Sequence, residues 1–220
     1  MPKIKMPRKS TAIDMTAMCD VAFLLLTFFM LATSFKPPEA VVVRTPGSTS
    51  TKPIPEGFIL ITLDKDGRVF FNIDDLNAKR AVIEQINQEK GLGLTSAEMQ
   101  SFVIGTDMGV KFSQLKSYLT LDGTQQKDFA KTAPGIPTDT TADYERNELA
   151  FWLATTQYHL PKGRIAIKAD GAAAYPEINK VISTLGKLKL FRFNFITDPK
   201  GIPPGTALYE EQMVGTKAGH

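Results

Sequence analysis

One long apolar stretch lies near the N-terminus, and the rest of the chain alternates between short apolar runs and polar segments. From Met15 to Phe35, 21 residues contain a single charge, Asp20. A helix of this length spans about 31 Å at 1.5 Å per residue, which matches the roughly 30 Å hydrocarbon core of a bilayer. The pattern predicts a membrane-spanning helix that occupies residues 13–35 together with its lead-in.

Charges on the two sides of this helix indicate its orientation. Residues 1–12 form a basic tail with four cations and no acid before position 10: Lys3, Lys5, Arg8 and Lys9. Excess positive charge marks the cytoplasmic side, so the body of the chain is expected outside the cytoplasm. A cleaved secretory signal is the alternative, because Val21–Ala32 is a charge-free run of signal-core length and Ala32–Ser34 fits a small-residue cleavage site. Both interpretations export the body of the chain.

A polar stripe follows the predicted helix. Asp20, Thr27 and Ser34 are spaced by seven and therefore share one face. A carboxylate in a spanning helix costs roughly 2.5–3.5 kcal/mol or more, and a signal peptide has no reason to accept that cost. Such a stripe faces protein or a water-filled path, so we predict that Asp20 carries protons and that Thr27 and Ser34 line its path or contact neighbouring subunits. The alternative is that Asp20 reaches the headgroups and only orients the helix.

Residues 36–57 are predicted to be an extended linker, because they contain five prolines. Within them, Val41, Val42 and Val43 form a short β-prone run. An extended segment of this kind can add as a strand to a sheet edge. A plain linker without such a role is the alternative.

Residues 58–198 are expected to form a small α+β domain. Asp-Gly between two β-rich runs predicts a hairpin, and Asp75 is placed to cap a helix that reaches about Lys90. The predicted order is hairpin, helix, strand, helix and strand, carried by Phe58–Leu63, Val69–Asn72, Asp75–Lys90, Gly163–Asp170, a helix from about Pro176, and Leu190–Thr197.

Composition removes several function classes. The chain is 43% hydrophobic and 22% charged, and its single cysteine excludes a disulfide framework and a cysteine-based zinc site. Without the four N-terminal bases, 22 bases stand against 23 acids, so no general nucleic-acid surface is expected. There are two histidines and no HExxH, GxSxG or phosphate-loop motif, so the chain is not expected to be an enzyme.

The lead-in Ile13–Asp20, followed by the apolar run, resembles the start of the ExbD/TolR family of energy-transducing inner-membrane proteins. Asp20 falls on the essential membrane aspartate of that family. Ala17 stands where the family usually has proline, and Cys19 replaces a usually apolar residue. The external domain also resembles the family, and together the similarity covers roughly residues 10–75 and 163–198.

Family members are usually shorter between these parts, so residues 91–162 are interpreted as an insertion. A capping box at Thr95–Glu98 predicts one helix, and Ser113–Leu119 predicts a short second helix. A loop is predicted at Lys131–Asp139, and a third helix follows it at Thr141–His159. The third helix is expected to pack on the sheet, although the insertion could instead be a partner-docking surface. Residues 199–220 are expected to be a flexible tail.

The resemblance implies a proton-motive-force-coupled motor or stator subunit in the bacterial inner membrane, with its C-terminal domain in the periplasm. It implies a dimer of this chain inside an ExbB/TolQ-like pentameric ring, a TonB- or TolA-like transducer as partner, and no cofactor beyond the coupling proton. The favoured role is TonB-linked outer-membrane transport. A TolR-like envelope role, a gliding or secretion motor, and a non-energised anchored periplasmic binding module remain as alternatives.

Overall fold

The chain divides into two units, Met1–Pro37 and Pro38–His220. In the computed structural model, the described residues are 15–32, 41–48, 57–138 and 147–199. The first unit contributes one helix, and the second contributes a sheet with the helices that cover it.

Helix α1 spans Met15–Ala32, and none of its side chains is buried. Its mean hydropathy is 2.0, and it is long and apolar enough to cross a membrane. The predicted helix is confirmed over these 18 residues, whereas positions 13, 14 and 33–35 lie outside the described residues. An apolar helix with no buried side chain must be covered by lipid or by other protein, since water would not solvate this surface favourably.

In the described part of the second unit, six strands form two sheets. They are β1 (Gly47–Ser48), β2 (Phe58–Leu63), β3 (Val69–Ile73), β4 (Arg164–Ala169), β5 (Phe193–Ile196) and β6 (Asp198–Pro199). The main sheet has the order β3-β2-β4-β5, in which β2 and β3 form the predicted antiparallel hairpin and the other neighbours are parallel. Strands β1 and β6 form a separate two-residue parallel pair.

The described residues of the second unit also form six helices. They are α2 (Leu76–Lys90), α3 (Ser96–Ile104), α4 (Phe112–Leu119), α5 (Gly123–Thr132), α6 (Glu148–His159) and α7 (Tyr175–Lys187). The predicted caps are confirmed: the Asp75 side chain accepts from the Ala78 amide, and Thr95 and Glu98 form a capping box. Helix α5 was not predicted, and β5 is shorter than the predicted Leu190–Thr197.

The core lies on one face of the sheet. Ile59, Ile61 and Leu63 of β2 alternate along the strand and are fully buried. Helical residues join them in one apolar cluster: Val82, Ile83 and Ile86 of α2, Leu149, Trp152 and Leu153 of α6, and Val181 and Leu185 of α7. The α+β architecture predicted from the sequence is therefore confirmed.

Residues 91–162 contribute to this core through an aromatic cluster. The Trp152 ring stacks on Phe102, with centroids 5.6 Å apart, and on Phe112 at 5.3 Å. Phe71 of the sheet lies 5.7 Å from the same indole. Trp152 thus joins α3, α4 and α6 to β3, and the prediction that the last of these helices packs on the sheet is confirmed.

Residues 91–162 also cover the outer edge of β3. Phe71 and Met108 exchange two backbone hydrogen bonds, with N–O distances of 2.7 and 2.8 Å, and the Ile136 amide donates to the Val69 carbonyl at 2.8 Å. An unpaired edge is a template for unwanted strand pairing, so these bonds protect one side of the sheet. The opposite border of the four-stranded sheet is β5.

The turn between β2 and β3 contacts residues 91–162 from a second side. Gly67 adopts a positive φ of 77°, which allows the tight turn after Asp64. The Arg68 guanidinium pairs with Asp64 and donates to the carbonyl oxygens of Lys131 and Ala133, at 2.6 and 3.3 Å. The arginine therefore joins the hairpin to the last turn of α5 and to the residue that follows it.

Candidate functional site

The membrane helix presents one charged residue on an apolar surface. Asp20 lies in the second turn of α1, is exposed, and is the only Asp, Glu, Lys or Arg of that helix. The large apolar side chains of α1 are also exposed, including Phe23 and Leu24. Whatever covers this helix must therefore accommodate a carboxyl group among apolar contacts.

Thr27 lies on the same face as Asp20, two helical turns later and about 10.5 Å further along the axis. Its hydroxyl is within donating distance of the carbonyl oxygens of Phe23 and Leu24, at 3.0 and 2.9 Å. A threonine hydroxyl has one proton and two lone pairs, so it can satisfy its own helix and still accept a hydrogen bond. Ser34, the third member of the predicted stripe, lies outside the described residues.

The segment that follows the membrane helix in the chain rests on the α+β domain. We refer to residues 41–48 as the docked tether. Val42 is 84% exposed, whereas Val43 is only 7% exposed and Val41 is half-buried. The three valines do not form a strand, and the first strand of the docked tether is β1.

Backbone hydrogen bonds hold the docked tether at the carboxyl ends of two parallel strands. After β4, the Arg44 amide donates to Asp170 Oδ2 at 3.1 Å, and the Gly171 amide donates to the Arg44 carbonyl at 2.9 Å. After β5, the Asp198 amide donates to the Pro46 carbonyl at 3.1 Å, next to the β1–β6 pair. The docked tether is thus attached at two points.

Asp170 is the side chain on which this attachment depends. Its other carboxylate oxygen accepts from the Ala172 amide at 2.9 Å. This bond, followed by that from the Arg44 amide, holds the pKa of the carboxyl below its usual range, with smaller contributions from the charges of Arg44 and Lys65. The sequence does not indicate this contact, because the partner of Asp170 lies 126 positions away.

A buried lysine joins α2 to the residue that follows α3. Lys79 of α2 is nearly inaccessible, and its Nζ donates to the Gly105 carbonyl at 2.7 Å, just after α3. Burial lowers the pKa of this amine, while the charges of Asp107 and Asp74 oppose the shift. The arrangement joins α2 to the end of α3, which is a structural role.

The described part of the domain contains no group of three or more histidine, cysteine or acidic side chains that could hold a metal ion. His159, at the end of α6, donates from its ring Nε2 to Gln85 Oε1 at 2.6 Å. An amide partner orients the ring but does not activate it as a base. The arrangement of His159 therefore supports a structural interpretation.

The chain has one apolar helix with a single carboxyl group, followed by an α+β domain to which the docked tether is hydrogen-bonded. This is the layout of a single-anchor membrane protein. The chain matches the family described as biopolymer transport protein ExbD/TolR over residues 6–200, and it belongs to that family. No curated protein and no solved structure matches it. Membership gives the chain an energy-transducing role in biopolymer transport at the inner membrane, together with partner proteins and in a non-enzymatic family.

Proposed function

We propose that this chain is a proton-motive-force-coupled motor or stator subunit of an ExbB–ExbD type complex, and that Asp20 carries the proton. The observation that carries the proposal is the isolation of Asp20, the one charged residue on an apolar helix of a family member. The basic tail at residues 1–12 supports a cytoplasmic N-terminus and a periplasmic domain.

The energy that the membrane potential supplies is similar to the cost of placing the Asp20 carboxylate in the bilayer. A membrane potential supplies about 2.3 kcal/mol per charge per 100 mV, which is comparable to the roughly 2.5–3.5 kcal/mol cost of a carboxylate in the bilayer. In a dimer inside a five-fold ring, the two Asp20 side chains meet different surroundings. Protonation of one after the other lets the neutral side chain face apolar surface and the charged one face a polar path, and this alternation drives rotation.

Transmission to the domain would pass through the docked tether. Because Arg44 and Pro46 are hydrogen-bonded to residues after β4 and β5, a pull along the chain acts on the sheet rather than on a free linker. We propose a TonB-like transducer as the recipient, in outer-membrane transport. Val41, Val42 and Val43 are the proposed partner-binding run, and the exposure of Val42 leaves it accessible.

The test is the substitution Asp20→Asn in cells that depend on this chain. We expect loss of energised transport with an unchanged amount of membrane-inserted protein, because asparagine keeps the size of the side chain and cannot exchange a proton. Asp14→Asn is the matched control, since it removes a carboxyl group six residues earlier, before α1, and should leave transport intact.

Two readouts separate the branches of the family. TonB-dependent uptake and resistance to detergent are measured in the same strains. Loss of uptake alone supports the TonB-linked role, and loss of detergent resistance alone supports the TolR-like role instead. In cells in which deletion of this chain impairs uptake or resistance, normal uptake and normal resistance with Asp20→Asn would contradict the proton-carrying role of Asp20.

A further inference from the structure

A groove lies at the end of the parallel strands opposite to the docked tether. It has a volume of about 840 Å³ and is bordered by the end of α6, by residues 161–165 leading into β4 and by residues 189–194 leading into β5. The docked tether contacts residues that follow β4 and β5, so it leaves this groove uncovered.

The groove gathers positive charge. Among the lining residues that the structure describes, four are cations, Lys162, Arg164, Lys189 and Arg192, and none is acidic. All four are exposed, and within the described ranges none of them forms an ion pair. Outside the basic N-terminal cluster the chain has slightly more acids than bases, so this concentration is not a consequence of a generally basic surface. Four like charges in one concavity repel one another, and a bound anion relieves that repulsion.

Lys189 occupies a position that favours glycine. It follows the end of α7 and has a φ of 58°, in the left-handed region that costs a residue with a Cβ. The helix end is closed by hydrogen bonds from the Lys189 amide to the Gly186 carbonyl and from the Leu190 amide to the Leu185 carbonyl, at 3.0 and 2.9 Å. A glycine would adopt this backbone conformation without strain, but Lys189 adds a positive charge to the lining of the groove.

We propose that this cationic groove binds a phosphate-bearing ligand of about the charge of a diphosphate. A single carboxylate carries one negative charge and leaves most of the four cations uncompensated. Phosphate groups carry up to two charges each at neutral pH, and two guanidinium groups can bind their oxygens in bidentate fashion. Phe191, which is 72% exposed, borders the groove and supplies an apolar surface for the remainder of the ligand.

The probe is inorganic pyrophosphate, titrated calorimetrically into the full-length chain in phosphatidylcholine nanodiscs. The test variant is Arg164→Gln with Arg192→Gln, and the control is Arg80→Gln with Lys127→Gln, which removes the same charge from exposed positions elsewhere in the domain. Loss of two charge-assisted contacts should weaken binding by about tenfold or more in the test variant, and the control should bind as the wild type does.

Equal losses in the test and control variants would overturn the proposal, because they would show attraction to net charge alone. Absence of pyrophosphate binding to the wild type would also overturn it. Citrate, which carries three carboxylates, is titrated in parallel, and binding as tight as that of pyrophosphate would contradict the phosphate assignment. A second test variant, Lys162→Gln with Lys189→Gln, removes the other two cations of the groove and should also weaken pyrophosphate binding.

A second arm identifies the source of the phosphate. The wild-type chain is titrated in nanodiscs that also contain phosphatidylglycerol. Weaker pyrophosphate binding in these discs, restored in phosphatidylcholine, shows that an anionic lipid headgroup competes for the groove. Equal binding in both discs shows that the ligand is a soluble phosphate compound. Asp20→Asn should bind pyrophosphate normally, so failure of this proposal and failure of the proposed motor function are distinguishable.

Discussion

Asp170 connects two segments that are distant in the sequence, and its carboxylate is stabilised by backbone amides at an exposed position. Because its pKa is lowered in the folded chain, its contribution to stability is present above the unfolded pKa, about 3.9. That contribution is lost as the pH falls below this value and the carboxylate is protonated. At neutral pH the attachment of the docked tether is therefore complete.

Replacing Asp170 with alanine should loosen the docked tether at Arg44, while the hydrogen bond at Pro46 and the fold of the domain remain. The Arg44 amide then loses its acceptor, so its hydrogen exchange at neutral pH should become faster, as measured by mass spectrometry of the full chain. Asp128→Ala is the matched control, because this carboxylate is also exposed and also has a lowered pKa, owing to Lys131. Unchanged exchange across residues 41–48 in Asp170→Ala would contradict the role given to this side chain.

Gly109 is a residue whose lack of a side chain is required by packing. A Cβ at this position would overlap the ring of Phe70, which is fully buried and so has no space to move. Gly109→Ala should lower the free energy of unfolding by about 1–3 kcal/mol, the usual cost of overpacking, as measured by urea denaturation.

Gly123→Ala provides the comparison for this prediction. A Cβ at Gly123 meets no atom within 4 Å, and alanine in the first turn of α5 should be neutral or stabilising by up to about 1 kcal/mol. A tolerated alanine at 109 would show that the loop before α4 is free to move away from the sheet.

Helix α6 belongs to the core rather than to an appended surface. Trp152 is fully buried, and its indole contacts the aromatic rings of β3, α3 and α4. The indole Nε1 has no hydrogen-bond partner among the described residues, and its contacts with them are apolar and ring contacts. Loss of the ring would leave a cavity where four elements meet.

Trp152→Ala should therefore destabilise the domain by about 3–5 kcal/mol, measured by chemical denaturation of the full chain. Tyr158→Ala, on the same helix but 77% exposed, should change the free energy of unfolding by no more than about 0.5 kcal/mol. Similar values for the two variants would mean that α6 does not pack on the sheet.

The regular elements could be predicted where local signals agree. Helix α2 has a capping aspartate and apolar residues at helical spacing, and the β2–β3 hairpin has an Asp-Gly turn. Helix α5 was missed because its sequence is polar and begins with glycine, so that only Ala130 is buried. Strand β5 is shorter than its apolar pattern predicts, because Leu190 and Phe191 line the cationic groove instead of pairing with β4.

At the scale of the whole molecule, the sequence predicts features that depend on neighbouring residues, and it misses contacts between segments that are distant in the chain. Asp20 stands out because a carboxylate in a long apolar run is costly wherever that run folds. The attachment of Arg44 to Asp170 and the cationic groove each combine segments that are far apart in the chain. No spacing rule in a single sequence indicates such contacts.

The proposed role of Asp20 is to couple proton flow to movement. The most direct measurement is potential-driven proton uptake into liposomes that contain this chain assembled with its ring subunits, compared between the wild type and Asp20→Asn at equal amounts of assembled complex. We predict uptake with the wild type and none above the protein-free background with Asp20→Asn. Equal proton uptake by the two complexes would contradict the proton-carrying role of Asp20.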